Sequence, residues 1–134
     1  MHSGQAQKEF FVNEAFFRLD AITHPVVEGD VAEPPATPVA GRSWLVADDA
    51  AGMFKDYTHA LAYYDGVQWT FIAPVLGMTV FDRSTSTLRR FANGWSAPES
   101  VAAPIGGTTV DVEARQAIVA LLQALKGLSL LKHG

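Results

Sequence analysis

The N-terminal segment is apolar on two sides of one helix, which limits how the chain can fold. A helix is predicted from about Gln5 to Ile22, because the residue before Pro25 is pushed out of the helical region. At about 100° per residue, the apolar side chains form one broad face and one narrower face. The broad face contains Phe11, Val12, Ala15, Phe16, Leu19 and Ile22, and the narrower face contains Phe10, Phe17 and Ala21.

A small β-sheet covers only one of these two faces. We expect the broad face to pack on the chain's own core, and Phe10 and Phe17 to lie in an oligomer or attachment interface. Leaving these two side chains in water would forgo roughly 2 kcal/mol for each that could be buried. The pattern therefore predicts a second chain, a copy or another protein, on the narrower face.

The 134-residue chain is predicted to be one α+β unit with four segments. The N-terminal helix occupies residues 1–24 and is assigned to assembly or attachment. A proline-rich linker follows over residues 25–41, since its Pro-Pro-Ala-Thr-Pro run favours extended polyproline chain. Short alternating runs broken by turn residues predict an antiparallel β-meander over residues 42–108, and a C-terminal helix occupies residues 109–134.

The clearest hairpin of the meander turns at Asp65-Gly66, a pair that favours a two-residue turn. Such a turn would place Ala62 opposite Trp69 on one face and Tyr63 opposite Gln68 on the other. Asn93-Gly94 repeats the turn signal, with Trp95 in the place of Trp69. The two similar hairpins suggest a duplicated sheet unit.

The C-terminal helix is expected to start after Asp111, whose carboxylate can cap the free amides. Gly127 is expected to supply the left-handed residue that ends the helix. Ile118, Leu121 and Leu125 follow heptad-like spacing, and polar residues are few around the helix. This seam is predicted to be an oligomer interface.

Composition also points to association. Charged residues make up 18% of the chain and hydrophobic residues 49%, so much of the surface is expected to be covered by partners. The net charge is −4 and Arg89-Arg90 is the only adjacent cationic pair, which excludes an obvious nucleic-acid surface. No stretch is long enough to span a membrane, and no secretory signal is visible. We therefore expect a protein made in the cytosol that leaves it inside something larger.

No catalytic or cofactor-binding pattern is present in the sequence. The four histidines have no ligand partner at helical or hairpin spacing, so no metal site is expected. Gly106-Gly107 lacks the lysine and hydroxyl of a phosphate loop. The prediction is that the chain is not an enzyme and needs no cofactor.

The aromatic side chains of the predicted sheet allow two interpretations. Flat rings with polar edges suit the faces of sugars, but tryptophans at turns of a meander are more often packing residues. Trp69 and Trp95 are therefore assigned to packing, while Tyr63 and Gln68, on the mixed face, remain candidate glycan contacts.

Several motifs resemble an uncharacterised domain family of phage tail-fibre proteins, with relatives in prophages and gene transfer agents of alphaproteobacteria. The resemblance covers most of the chain and rests on the following residues: Gln5-Ala6-Gln7-Lys8-Glu9, Asn13-Glu14-Ala15, Leu19-Asp20, Pro34-Pro35-Ala36-Thr37-Pro38, Gly41-Arg42-Ser43-Trp44-Leu45-Val46 and Tyr64-Asp65-Gly66-Val67-Gln68-Trp69. It implies a virion appendage, a fibre or spike that contacts the host surface, and it brings no catalytic residues. A spike on a capsid is as compatible with it as a fibre tip.

The resemblance also implies partners. Fibre appendages are usually three-fold, so we expect a homotrimer that binds other virion structural proteins and contacts host cell-surface polysaccharide. The rival interpretation is a stand-alone carbohydrate-binding module, which would be monomeric. A weaker third is an enzyme whose active-site residues are scattered in sequence.

Overall fold

A computed structural model describes residues 3–133, with side chains from residue 8 onward. The outermost residues of the predicted terminal segments, 1–2 and 134, lie outside the described residues. The fold is α+β, with a helix near each end and sheets of short strands between them, as predicted. The elements are α1 (Ser3–Thr23), β1 (Val26–Val27), β2 (Asp30–Val31), β3 (Arg42–Val46), a 3-10 turn (Gly52–Phe54), β4 (Leu61–Tyr64), β5 (Trp69–Ile72), β6 (Thr79–Asp82), β7 (Thr87–Arg90) and α2 (Val112–Gly127).

The strands form two sheets, and this corrects the prediction of a single antiparallel meander. One sheet has the order β1-β6-β7 and the other β2-β3-β4-β5. The pairs β3-β4, β4-β5 and β6-β7 are antiparallel, but β1 runs parallel to β6 and β2 parallel to β3. The segment assigned to a linker, residues 25–41, supplies the two parallel strands, each of two residues. Strands this short carry no alternation that a sequence pattern could reveal.

Gly29 lets the chain pass from one sheet to the other between β1 and β2. Its φ is +133°, and a Cβ there would lie 3.2 Å from Oγ of Ser84. A side chain at this position would be strained by the backbone conformation and would also require Ser84 to shift. The Gly29 carbonyl also accepts a hydrogen bond from the Leu45 amide at 3.0 Å, which holds the crossover against β3.

The β4-β5 hairpin has a longer turn than predicted. Tyr64 pairs with Trp69 and Tyr63 with Thr70, so the register is shifted by two residues. The Asp65 carboxylate causes the shift, because its Oδ1 accepts hydrogen bonds from the amides of residues 67 and 68 at 2.7 and 2.8 Å. A two-residue shift keeps every side chain on its predicted face, although the opposing partners change.

The four-stranded sheet is packed on both faces. On one face, Leu45 and Leu61 are fully buried against Val27 and Val80 of the other sheet. On the opposite face, Ala62 and its neighbours pack around Phe54 from the 3-10 turn, which is also fully buried. The chain therefore has two small cores separated by one sheet.

Helix α1 turns its narrower apolar face toward the sheets, the reverse of the prediction. Ala21 is buried in the first core, and the ring of Phe17 lies 6.3 Å from that of Tyr63. In contrast, Phe11 and Phe16 are 66% and 64% exposed. The contact of α1 with the sheets is therefore made by its narrower face, through Ala21 and Phe17. The expectation that the broad face packs on the core was therefore wrong, while the assignment of Phe17, which is 38% exposed, to an interface stays a prediction.

Helix α2 begins as predicted but ends differently. The Asp111 carboxylate accepts a hydrogen bond from the Ala114 amide at 2.9 Å. Gly127 remains helical, and the left-handed residue is Ser129, with a φ of +59°. The prediction that Gly127 is the left-handed residue was therefore wrong, because that conformation occurs two residues later.

The segment after α2 returns to the sheets. The carbonyl of Ser129 accepts a hydrogen bond from the amide of Leu88 on β7 at 2.7 Å, and Leu131 is buried. The Lys132 amide donates to the Glu99 carbonyl at 2.6 Å, which ties the segments on either side of α2 together. The loop before α2 is held by Arg115, which donates to the carbonyls of Pro104 and Gly106. We call residues 112–128, anchored in this way, the helical arm.

Candidate functional site

The helical arm carries the predicted seam on an exposed surface. None of residues 112–127 is buried in the described chain. Ile118, Leu121 and Leu125 are 42%, 64% and 37% exposed, and Leu128 continues their spacing. The structure thus brings the three predicted seam residues together along one side of a helix. A helix so apolar and so little buried is typical of an interaction surface.

A second exposed apolar surface lies on α1 and beside its C-terminal end. Phe11, Phe16 and Leu19 point away from the sheets, and each is more than half exposed. A depression of about 350 Å³ continues this surface below the helix. Its lining is formed by Ile22, Pro25, Ile72, Ala73, Val75, Met78 and Thr79.

Between the middle of α1 and the outer strand β5 lies a groove of about 310 Å³, which we call the aromatic groove. The rings of Tyr57 and Phe71 stack in parallel there, with centroids 3.8 Å apart and planes 8° apart. Trp69 forms part of the wall. The complete lining is Phe10, Glu14, Arg18, Tyr57, Gln68, Trp69, Thr70 and Phe71.

The groove also has polar groups on both sides. Arg18 of α1 donates to the Glu14 carboxylate at 2.8 Å, and both side chains are partly exposed. Gln68 lies across from them and is exposed. Phe10 lines this groove and is 57% exposed, and its place in an oligomer interface stays a prediction.

The two predicted glycan contacts are not brought together. Tyr63 faces the first core and is buried, while Gln68 lies at the aromatic groove. Burial raises the pKa of Tyr63 above 10.0, and the nearby carboxylates of Asp20 and Asp65 raise it further. The shifted hairpin register separates the pair, since Thr70 replaces Gln68 opposite Tyr63.

The two tryptophans assigned to packing make the contacts of packing residues. Trp69 lies edge-on to Trp44 and Phe54, with ring centroids 5.4 and 5.1 Å away. Trp95 packs against the first core, and its Nε1 donates to the carbonyl of His59 at 2.8 Å.

A polar cleft of about 300 Å³ lies where the two sheets meet. Nε2 of His59 is 2.6 Å from Oδ1 of Asp48, and His59 has a φ of +68°, which is unusual for a residue with a side chain. Its amide donates to the Val46 carbonyl at 2.9 Å. Helical or hairpin spacing does not predict the pairing of His59 with Asp48, because it depends on a tertiary contact.

Beneath this cleft, Arg89 joins the two sheets. Its Nη1 donates to Asp30 at 2.7 Å and to the fully buried Asp82 at 3.3 Å. Its Nε donates to the carbonyl of Ser96 at 2.8 Å. Asp30 is on β2 and Arg89 on β7, so one guanidinium connects strands of different sheets. These contacts use much of the hydrogen-bonding capacity of Arg89, which is typical of a structural ion pair rather than a reactive group.

Among the residues that the structure describes, no group of three or more His, Cys, Asp or Glu side chains could hold a metal ion. Within residues 3–133, neither helix is both long and apolar enough to cross a membrane.

One family matches the chain. The family described as "Protein of unknown function (DUF2793)" matches residues 12–96, which is well over half of the sequence. The chain belongs to this family. The matched region contains both sheets and most of α1, and it stops before the helical arm. No curated protein and no solved structure matches the chain significantly.

Proposed function

We propose that this protein is a structural subunit of a fibre or spike on a phage-like particle or gene transfer agent. In this proposal it is made in the bacterial cytoplasm, assembles with copies of itself and with other virion proteins, and contributes to attachment at the host surface. It acts by assembly and adhesion, without catalysis. The observation that carries the proposal is the helical arm, an apolar helix with no buried residue in the described chain.

The arm is suited to self-association because its apolar stripe is wide. In heptad terms Ile118 and Leu125 occupy a positions and Leu121 a d position. The flanking e and g positions, which usually carry charges, hold Leu122 and Ala124 instead. Such a stripe is too broad to be covered by one neighbouring helix. This supports a bundle of more than two arms, and we propose a homotrimer.

Two further features support the assignment. The motifs that resemble phage tail-fibre domains fall mainly inside the region matched by the family of unknown function. The outer face of α1, with Phe11, Phe16 and Leu19, offers a second apolar surface for an anchoring virion protein. We propose this face, in place of Phe10 and Phe17, as the attachment surface.

The arm can be tested with charge substitutions inside and outside the seam. The double variant Ile118→Glu/Leu121→Glu places two carboxylates in the proposed interface and should give a monomer with unchanged helix content. The matched control, Gln116→Glu/Gln123→Glu, adds the same charge at exposed f positions and should keep the oligomer. Light scattering measures the mass, and circular dichroism measures helix content. A seam variant with the mass of the unaltered protein would contradict the proposal.

A stand-alone carbohydrate-binding module is the second candidate function. The observation that favours it is the aromatic groove, in which exposed rings lie beside polar side chains. The two candidates differ in mass, because an isolated module should be monomeric at micromolar concentration.

A further inference from the structure

We infer that the aromatic groove binds uncharged pyranose units of a cell-surface polysaccharide. The inference deepens the proposed function and rests on it, since attachment to a host surface requires a contact with that surface. It transfers the glycan contact from Tyr63, which is buried, to Tyr57, which is exposed, and it keeps Gln68.

Tyr57 provides the stacking surface. It is 43% exposed, although its ring lies flat on Phe71 at 3.8 Å. Phe71 is in turn held by Phe54, whose ring is 5.3 Å away and fully buried. The exposed ring is therefore supported from beneath by the second core. A ring fixed in this way loses little conformational entropy when an apolar sugar face packs on it.

Polar groups lie at the edges, where sugar hydroxyls would project. Among the residues that the structure describes, the Gln68 side chain makes no hydrogen bond, so its amide is available both to donate and to accept. On the other side, the Glu14-Arg18 pair offers acceptors and donors together. These two side chains neutralise each other, so the groove carries no net charge. This favours a neutral saccharide over an anionic polymer or a nucleic acid.

Helix α1 does not close the aromatic groove by packing against β5. Phe10 lies across it from the sheet and remains 57% exposed, and about 310 Å³ stays open between the helix and β5. This volume is at the lower limit of ligand sites, which suits a short stretch of polysaccharide better than a large compact ligand. Because α1 and the β5 hairpin form opposite walls, the site depends on the fold and not on one element.

The test starts with an array of capsular and O-chain oligosaccharides from bacterial surfaces, probed with the purified full-length protein. The best-bound uncharged oligosaccharide is then titrated calorimetrically into the protein and its variants. Tyr57→Ala should weaken binding about tenfold by removing the stacking surface. Gln68→Ala, at an exposed side chain, should weaken binding several-fold with no loss of stability.

Two controls separate the groove from other effects. Tyr57→Phe keeps the ring and should retain binding, and Gln123→Ala removes a comparable exposed amide from the helical arm and should change nothing. Failure of the protein to bind any oligosaccharide on the array would overturn the inference. So would binding that survives both Tyr57→Ala and Gln68→Ala, or binding confined to anionic chains. Binding of unstructured peptides in competition with the sugar would assign the groove to a protein partner instead.

The oligomer seam provides an independent measurement. The Ile118→Glu/Leu121→Glu monomer should bind a short oligosaccharide as well as the unaltered protein does, but should bind whole cells about 100-fold more weakly because it lacks avidity. If the unaltered protein is a monomer and binds the sugar, the proposed homotrimer is refuted but the sugar site in the aromatic groove is supported. If the unaltered protein is an oligomer but binds no sugar, the proposed sugar site is refuted and the proposed assembly is supported.

Discussion

Arg89 shows how much a small domain depends on one buried charge. Its guanidinium lies between Asp30 and the fully buried Asp82, and it also bonds the Ser96 carbonyl. The sequence shows this arginine only as half of the Arg89-Arg90 pair. The neighbouring Arg90 is exposed. Two adjacent arginines therefore have opposite structural importance.

Replacing Arg89 should destabilise the fold strongly. Arg89→Met would leave the Asp82 carboxylate buried without its cation, and we expect a loss of about 3–5 kcal/mol in the free energy of unfolding. Arg90→Met is the matched control and should cost less than about 0.5 kcal/mol. Urea denaturation followed by tryptophan fluorescence measures both. Equal effects of the two substitutions would show that the ion pair does not join the sheets.

Tyr63 should make stability depend on alkaline pH. Its pKa is raised above the ordinary value of 10.0, chiefly by burial, so the folded protein holds the phenolic proton more tightly than the unfolded chain. Stability is therefore fully present below pH 10 and falls as the pH rises from 10 toward the folded pKa. Tyr63→Phe should remove the part of the loss in the free energy of unfolding above pH 10 that comes from this phenol. The midpoints of urea unfolding, measured from pH 8 to 11 for the unaltered protein and for Tyr63→Phe, test this. A difference between the two midpoints that stays constant over this pH range would contradict the prediction.

At the scale of elements, α1 is held by few side chains. Ala21 is buried and Phe17 packs against Tyr63, whereas Phe11, Phe16 and Leu19 face outward. Most of its apolar surface is therefore not used within the chain. The helix is long enough to carry both an inner contact and an outer one, which is why its sequence is apolar on two sides.

The adjacent residues Phe16 and Phe17 should respond differently to substitution. Phe17→Ser should lower subunit stability by about 1 kcal/mol, since its ring is partly buried, and Phe16→Ser should leave it nearly unchanged. Both are best measured by urea denaturation in the Ile118→Glu/Leu121→Glu background, so that the transition reports on one subunit. Equal losses from the two substitutions would refute the packing described for α1.

The sequence predicts local features of these elements well. The Asp111 cap, the helix stop before Pro25 and the Asp65-Gly66 turn are all recognised from neighbouring residues. The turn length was not predicted, because the Asp65 carboxylate bonds two backbone amides and favours a wider loop. The inner face of α1 was not predicted either, because it depends on which apolar side chains the sheet presents.

At the scale of the whole molecule, the unpredicted features come from contacts between distant segments. The parallel strands β1 and β2 have two residues each and owe their pairing to the crossover at Gly29. The aromatic groove joins Tyr57 from a loop with Gln68 from a hairpin and Phe10 from a helix. No periodicity links such residues, so the groove was not predictable, although Gln68 was singled out from the hairpin pattern.

The helical arm and the outer face of α1 are two exposed apolar surfaces on either side of the sheets in sequence. A sheet region with two small cores supplies a rigid centre, which holds the proposed sugar groove. Apolar helices at either end remain largely uncovered. In the proposed assembly, the helical arm joins copies of the chain and α1 connects them to the particle.

The mass of the unaltered protein in solution tests the central claim most directly. Size-exclusion chromatography with light scattering at micromolar concentration should give three times the 14.4 kDa mass of one chain. The Ile118→Glu/Leu121→Glu variant should give 14.4 kDa under the same conditions. A monomeric mass for the unaltered protein would contradict assembly through the helical arm.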